Sequence, residues 1–228
     1  MRLSIVIPVL NEAANLGAAL APLQGLRAKG HEVIVVDGGS VDATLDVARR
    51  YADRVIASAR GRARQLNAGL SAVSGDVVLL LHADTCLPLH ADQRIEEALT
   101  TRVWGRFDVR IAGRSRWLPL VSAMMNLRSR LTGIATGDQA IFAWREALVS
   151  IGGVPDLPLM EDVALSKKLR RLSPPACLRE RVTTSGRRWM ANGPIRTITL
   201  MWALRLAFFL GVSPDRLARA YYPPGRTE

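Results

Sequence analysis

Three short runs of the chain are apolar with no alternation between faces: Leu3–Ile7 apart from Ser4, Glu32–Val36 after its first residue, and Asp76–Leu81 after its first. A strand that is apolar on both faces must be covered on both faces. Stretches with helical character separate these runs: Glu12–Leu26 with Asn11 as N-cap, Asp42–Tyr51, and Arg64–Val73. A shorter run, Arg54–Ala57, lies between the last two. Strands alternating with helices in this way predict a parallel sheet with helices on both sides, an α/β fold of Rossmann-like type.

The second half is less regular. Trp104–Ile111 alternates like a half-exposed strand, and Gln139–Ala143 reads as a returning strand, which makes the sheet mixed. Ser115–Leu131 has the pattern of an amphipathic helix, with Ser115, Ser122, Asn126 and Arg130 at helical spacing and Pro119 near its start. Glu161–Leu172 and the tail from Pro194 are helical. Residues 1–186 are expected to form one domain, and 187–228 a C-terminal helical apolar extension. In that extension Ile195–Leu210 is apolar around its whole circumference, so it must be buried in something: its own domain, a second copy, or the outer layer of a membrane. Arg196 and Arg205 interrupt it, which leaves too short a clean stretch for a span of ~20 residues. The first ten residues turn polar at Asn11-Glu12, too early for a signal peptide.

Charge is uneven. Thirty-one Lys and Arg against 20 Asp and Glu give a net +11, and the first hundred residues account for −1 of it. The rest of the chain therefore carries +12, nearly all of it arginine, which suits phosphates of a ligand or of a membrane. Cys86 and Cys177 are read as free thiols in a reducing compartment. The expected location is cytoplasmic, with residues 195–212 as the segment that would meet a partner copy or the inner face of the plasma membrane.

In open α/β sheets ligands bind beyond the carboxyl ends of the parallel strands. Here those ends are Pro8–Glu12, Asp37–Ser40, Ser58–Arg64 and His82–Asp84. They offer acids, a Gly-Gly-Ser turn and three arginines, a set suited to a nucleotide. The chain contains no G-x-G-x-x-G after its first strand and no G-x-x-x-x-G-K-[ST], so it is neither a dinucleotide site nor a P-loop.

Four segments occur in order: SIVIPVLNEAANL, EVIVVDGGSVDAT, GRARQLNAGLSAVSGDVVLLLHADT and GDQAIFAWREAL…GGVPDLPLMEDVALSKKLRR. Together they resemble a family 2 glycosyltransferase of the GT-A fold over residues 1–172. The C-terminal stretch resembles a compact bacterial subgroup of that family, one associated with arsenosugar biosynthesis. The resemblance implies a nucleotide pocket lined by Pro8, Val9, Asn11 and Glu12, with Asp37 receiving a base imide N–H beside Gly39 and Ser40. It places Arg62 and Arg64 near the diphosphate, and His82 and Ala83 at the ribose. Asp84 would be the last acid of the D-x-D motif and would hold Mg²⁺ or Mn²⁺; His82 replaces that motif's first acid. Glu161-Asp162 matches the family's acid pair, with Asp162 as catalytic base, held ionised by the start of its helix. Gly137, Asp138 and Gln139 would bind sugar or acceptor hydroxyls, and Arg187, Arg188 and Trp189 would close over the diphosphate and sugar.

The implied activity is an inverting transfer of a sugar from a nucleotide diphosphate sugar, UDP- or GDP-linked, to the hydroxyl of a lipid-linked or small-molecule acceptor. Rival readings are a nucleotide-sugar-binding protein without activity, for which His82 is the feature, and a sugar-phosphate nucleotidyltransferase. The latter needs a glycine-rich basic signature after the first strand, which Pro8–Glu12 does not supply. No nucleic-acid motif accompanies the basic half, and aromatic residues make up only 5%, so nucleic acid is not an expected partner.

Overall fold

The computed structural model describes residues 1–222, apart from the side chains of Arg188, Asn192, Pro194 and Ile195. Its strands are β1 (Leu3–Val9), β2 (Glu32–Asp37), β3 (Arg54–Ala57), β4 (Val77–Leu80), β5 (Thr85–Cys86), β6 (Trp104–Ala112), β7 (Ile141–Trp144) and β8 (Ala176–Ser185). The helices of the first half are α1 (Ala13–Leu20), α2 (Gln24–Ala28), α3 (Thr44–Tyr51), α4 (Arg62–Leu70) and α5 (Ala91–Leu99). Those of the second are α6 (Leu118–Thr132), α7 (Arg145–Ser150), α8 (Glu161–Leu172), α9 (Arg187–Asn192), α10 (Pro194–Phe209) and α11 (Pro214–Tyr221).

All the strands join one mixed sheet in the order β3-β2-β1-β4-β7-β6-β8-β5. The strands β3, β2, β1 and β4 are mutually parallel. Strand β7 runs antiparallel to both β4 and β6, while β8 is parallel to β6. The apolar runs are explained by two separate cores. Leu3, Ile5, Ile7, Val33 and Val35 feed one cluster, and the intervening Val6, Ile34 and Val36 feed another on the opposite face. The α/β reading therefore holds, as does the helical tail.

Four local expectations need correction. Asn11 is not an N-cap: it stands at φ 52°, its Oδ1 accepts the Val41 N–H, and Glu12 takes the cap position. Strand β6 is not half-exposed, because its first six residues are buried and Arg106 among them is wholly enclosed, ion-paired to Asp108. Gln139 belongs to a 3₁₀ turn, Gly137–Gln139, and the strand starts at Ile141. The stripe on α6 is inverted. Its polar residues face the sheet, where Asn126 accepts the Val109 N–H at 2.8 Å and donates to the Val109 carbonyl at 3.0 Å, and Ser122 accepts the Ile111 N–H. Its leucines Leu120, Leu127 and Leu131 are exposed instead. The polar stripe works as a surrogate strand, satisfying backbone groups of β6 that no neighbouring strand reaches.

The C-terminal helices return to the domain. Leu204 of α10 and Leu217 of α11 are buried with Leu159, Met160 and Val163 around the start of α8. The outer face of α10 keeps Trp202, Leu206 and Phe209 exposed. No helix among the described residues is long and apolar enough to cross a membrane.

Asn126→Ala should cost at least about 2 kcal/mol, because it strands a buried N–H and a buried C=O of β6. Leu127→Ala, one position on and exposed, should change stability by less than ~0.5 kcal/mol. Chemical denaturation of the two variants checks this ordering.

Candidate active site

The carboxyl ends of the parallel strands are tied to one another by side chains. Gln65 of α4 donates to both the Val9 and the Val36 carbonyls at 2.8 Å, clamping the ends of β1 and β2. The Ser40 hydroxyl accepts the Asn11 N–H at 2.8 Å, and the Thr44 hydroxyl accepts the Glu12 N–H at 2.8 Å. Asp37 is buried at the end of β2, where its carboxylate accepts the N–H groups of Gly39 and Ser40 at 3.0 Å. Gly39 sits at φ +95°, a conformation a side chain would strain, which lets the turn fold back onto Asp37.

Between the ends of β1 and β4 stands Arg187, brought there by α9. Its Nη2 donates to Glu12 at 3.2 Å and lies 3.7 Å from an Asp84 carboxylate oxygen. Glu12, Arg187 and Asp84 therefore form one cluster at the mouth of the sheet. The other Asp84 oxygen accepts weakly from Thr85 and Thr184 hydroxyls at 3.5 and 3.4 Å, so the short pairing of β5 with β8 holds the acid in place.

His82 carries the cluster toward the second acid pair. Its Nδ1 is 3.3 Å from Asp138, and its ring lies against Gly137 so closely that a Cβ there would come within 2.2 Å of Nε2. The Gly137 N–H donates to Asp162 at 2.9 Å. The neighbouring acid, Glu161, is buried and accepts from Arg62 at 3.0 Å. Burial penalises the Arg62 charge, but Glu161, with Asp162 and the two tyrosines of α11's end adding to it, raises the guanidinium's pKa further. Asp162 is half-buried, and burial followed by repulsion from Glu161 pushes it up to about 6, against the pull of the Gly137 N–H and Arg62. The helix start does not hold it low, contrary to expectation: loss of hydration outweighs the dipole. Arg62, Leu80, His82, Gly137, Glu161 and Asp162 border one small cleft.

The acid pair is delivered by a forced turn. Met160 lies at φ 67°, rare for a side chain other than glycine, and is held there by burial against Leu204 and Leu217. Asn67 fixes the preceding loop from both directions, accepting the Val154 N–H and donating to its carbonyl.

Several expected ligand-facing residues are committed elsewhere. Val9 and Ala83 point into the core, so only their backbone is at the crevice. Pro8 is partly exposed beside them. Arg64 makes a surface pair with Asp156 at 3.2 Å, remote in partner from the strand-end acids. Gln139 is fully buried and its amide accepts the Thr136 N–H, closing a capping box, which leaves it unsuited to a sugar. Trp189 is half-buried against the main core cluster. The side chain of Arg188 lies outside the described residues. The clamping residues Gln65 and Asn67 were not singled out from the sequence; they lie within GRARQLNAGL, where their spacing of two gave no hint of separate loop partners.

Among the described residues no group of three or more His, Cys, Asp or Glu side chains is arranged to hold a metal. Asp84 still fits a shared ion, since it offers one partly exposed carboxylate whose Oδ2 has only the 3.7 Å contact with Arg187. Such an ion would draw its remaining ligands from ligand phosphates and water.

A parallel sheet ending in acids, an arginine between them and a carboxylate with a raised pKa is the architecture of a group-transfer enzyme. The chain belongs to glycosyl transferase family 2, whose family model matches residues 4–143. That match stops short of Glu161-Asp162 and of the C-terminal helices. A PGL/p-HBAD biosynthesis glycosyltransferase of Mycobacterium tuberculosis is 37% identical over 91 residues, 37% of this chain and 36% of its own. An uncharacterized glycosyltransferase of Nostoc is 30% identical over 108 residues, 44% of this chain and 34% of its own. The chain thus aligns with about a third of the length of these relatives. Among solved structures, TarS 1-349 of S. aureus superposes with TM-score 0.63 at 17% identity, over 82% of this chain and 61% of that one, a likeness of fold. Glucosyl-3-phosphoglycerate synthase of M. tuberculosis, in complex with Mg²⁺ and UDP, superposes with TM-score 0.60 at 25% identity, over 80% and 70%.

Asp162 is a carboxyl group whose folded pKa lies above its ordinary 3.8, at about 6. It holds its proton in the fold, so the stability linked to it is present below pH 3.8 and is lost as pH rises to about 6. Asp162→Asn, neutral throughout, should gain melting temperature relative to wild type across that interval. A gap that stays constant with pH in thermal melts would show that the carboxyl group is not raised.

Proposed function

We propose that the protein is an inverting glycosyltransferase that moves a sugar from a UDP- or GDP-linked donor to an acceptor hydroxyl, with Asp162 as the base. The observation that carries this reading is the Asp162 carboxylate, lifted to about 6, bonded to the Gly137 N–H, and joined through His82 to the strand end that bears Asp84. A base with that pKa is mostly ionised at neutral pH yet basic enough to accept a proton in the transition state.

In this reading the donor's base lies in the crevice between the β1 and β2 ends, near Asp37 and the Asn11–Ser40 contact. Arg187 exchanges part of its contact with Glu12 and Asp84 for the diphosphate oxygens, which neutralises charge on the departing group. Mg²⁺ or Mn²⁺ held by Asp84 and the diphosphate would add a second positive charge to the same leaving group. His82, paired with Asp138, orients the ribose side and keeps Gly137 in place. The acceptor O–H gives its proton to Asp162 while its oxygen bonds to the anomeric carbon. The bond from that carbon to the phosphate oxygen breaks, and its electron pair leaves with the nucleoside diphosphate. One such displacement inverts the anomeric centre, and no second carboxylate is needed as a nucleophile. Glu161 is turned to Arg62, which donates to it at 3.0 Å, and in this reading takes no part in the proton transfer.

A screen of nucleotide sugars with Mg²⁺ or Mn²⁺, read as released nucleoside diphosphate, tests the activity and reveals the donor through slow transfer to water. With the acceptor in hand, kcat/KM should rise with pH through about 6 and then level, since the base acts only when ionised. Asp162→Asn should lower kcat by about 100-fold or more while nucleotide affinity stays within a few fold. Asp37→Ala should instead weaken nucleotide binding first. Equal loss of binding and turnover in Asp162→Asn would assign that residue to folding.

A further inference from the structure

Most of the large apolar side chains left exposed among the described residues lie on α6, α9 and α10 or beside their ends. On α6 the exposed stripe is Leu120, Leu127 and Leu131; on α10 it is Trp202, Leu206 and Phe209. Both sets keep helical spacing, so each is one face of its helix. The two helices are tied together at two places. Leu118 of α6 and Met190 of α9 both lie against Gly113, where a Cβ would meet each of them. Ile134, just past the end of α6, packs on the cluster that holds Leu204 of α10. Met190 is itself half exposed, so apolar surface continues from α6 onto α9.

Between Asp108 and Asp138, and again between Glu180 and Asp215, the chain contains no acid. The first stretch holds α6, and the second holds α9 and α10. Arg114 and Arg116 are exposed ahead of α6, and Arg196 is exposed in the first turn of α10. The Arg116 guanidinium lies 5.6 Å over the Trp117 ring. At the far end of α6 an exposed Arg170 donates to the Thr132 carbonyl. Apolar stripes flanked by arginine match a surface that is negative at its headgroups and apolar beneath them. A second copy is the poorer match, because a two-fold pairing of this face sets arginine against arginine with no carboxylate in either stretch to answer it. Helix α10 has 16 residues, about 24 Å of length against a hydrocarbon core of about 30 Å, so it is fitted to lie along a bilayer and not to cross one.

We propose that the outer faces of α6 and α10 dock the protein on a surface of anionic lipid. The leucines and aromatic rings enter the boundary between headgroups and acyl chains, and the flanking arginines meet the lipid phosphates. Arg187, on the same short helix as Met190, reaches Glu12 and Asp84. The docked face therefore ends beside the mouth of the crevice. The proposal stands apart from the transferase reading, since it draws on none of the acids assigned to catalysis.

Flotation of the full chain with phosphatidylcholine vesicles, with and without phosphatidylglycerol, tests this. Wild type should bind the anionic vesicles about tenfold or more tightly than the neutral ones, and less tightly as salt is added. Tryptophan emission should shift to the blue on binding, and Trp202→Gln should lose part of that shift. The double variant Leu127→Glu, Leu206→Glu should bind the anionic vesicles about tenfold or more weakly. Val149→Glu is also an exposed change, beside Leu148 of the core on the opposite face of the sheet, and should stay within about twofold of wild type. Circular dichroism reports whether each variant folds; if the double variant does not, Trp202→Gln carries the comparison. Equal binding of neutral and anionic vesicles, binding of neither, or unchanged binding by the double variant overturns the proposal. A wild type that is dimeric, becomes monomeric in the double variant and does not float assigns the face to a second copy instead. UDP with Mn²⁺ is measured alongside: its failure to bind wild type would count against the transferase reading and leave the vesicle result standing.

Discussion

The hydrogen bond from the Gly137 N–H to Asp162 joins the two halves of the molecule at the crevice. Gly137 follows the polar edge of α6 and precedes β7, while Asp162 opens α8, which the C-terminal helices cover. The bond forms only because position 137 lacks a Cβ, which would otherwise collide with the His82 ring. It also requires Met160 to accept a left-handed backbone, a conformation that costs about 1 kcal/mol or more and is held by packing on α10 and α11. Backbone geometry, ring packing and a buried helix start therefore meet on one carboxylate.

The enclosed charges show how the chain manages ions away from water. Asp108 serves two arginines, Arg106 from its own strand and Arg130 from α6. Arg62 pairs with Glu161, while burial and the neighbouring Glu161 charge together raise Asp162 against the pull of Arg62 and the Gly137 N–H. At the other end of the crevice Arg187 stands between Glu12 and Asp84, keeping two carboxylates close without mutual repulsion. The surplus of arginine in the second half is thus partly structural, spent on carboxylates of the fold.

The first half of the chain was legible in outline, although the expected helix Glu12–Leu26 is broken into α1 and α2, and α5 was not foreseen. Runs such as VIVV and VVLLL leave no polar face, so both sides of the sheet had to be covered, and the order of strands and helices followed. The strand-end acids could be picked out for the same reason, since a polar residue directly after a buried strand has few places to go. The second half was read less well. The stripe of α6 has the correct period but the opposite facing, because periodicity records that two faces differ and not which one meets the sheet. Strand β8 escaped notice because it mixes exposed arginines with few enclosed positions, Val182 and Thr184 among them.

What the sequence determined by itself was the covered parallel sheet, its polar strand ends and the family motifs upon them, because these depend on local patterns of burial and turn chemistry. What only the tertiary structure decided was which of those polar groups remain free. Gln139 is consumed in a capping box, Arg64 is paired at the surface, Arg187 is brought across 175 positions to Glu12, and Asp162 is raised rather than held low. Each of these outcomes is set by partners distant in the chain and by the loss of water around them, and neither quantity is carried by a residue's immediate neighbours.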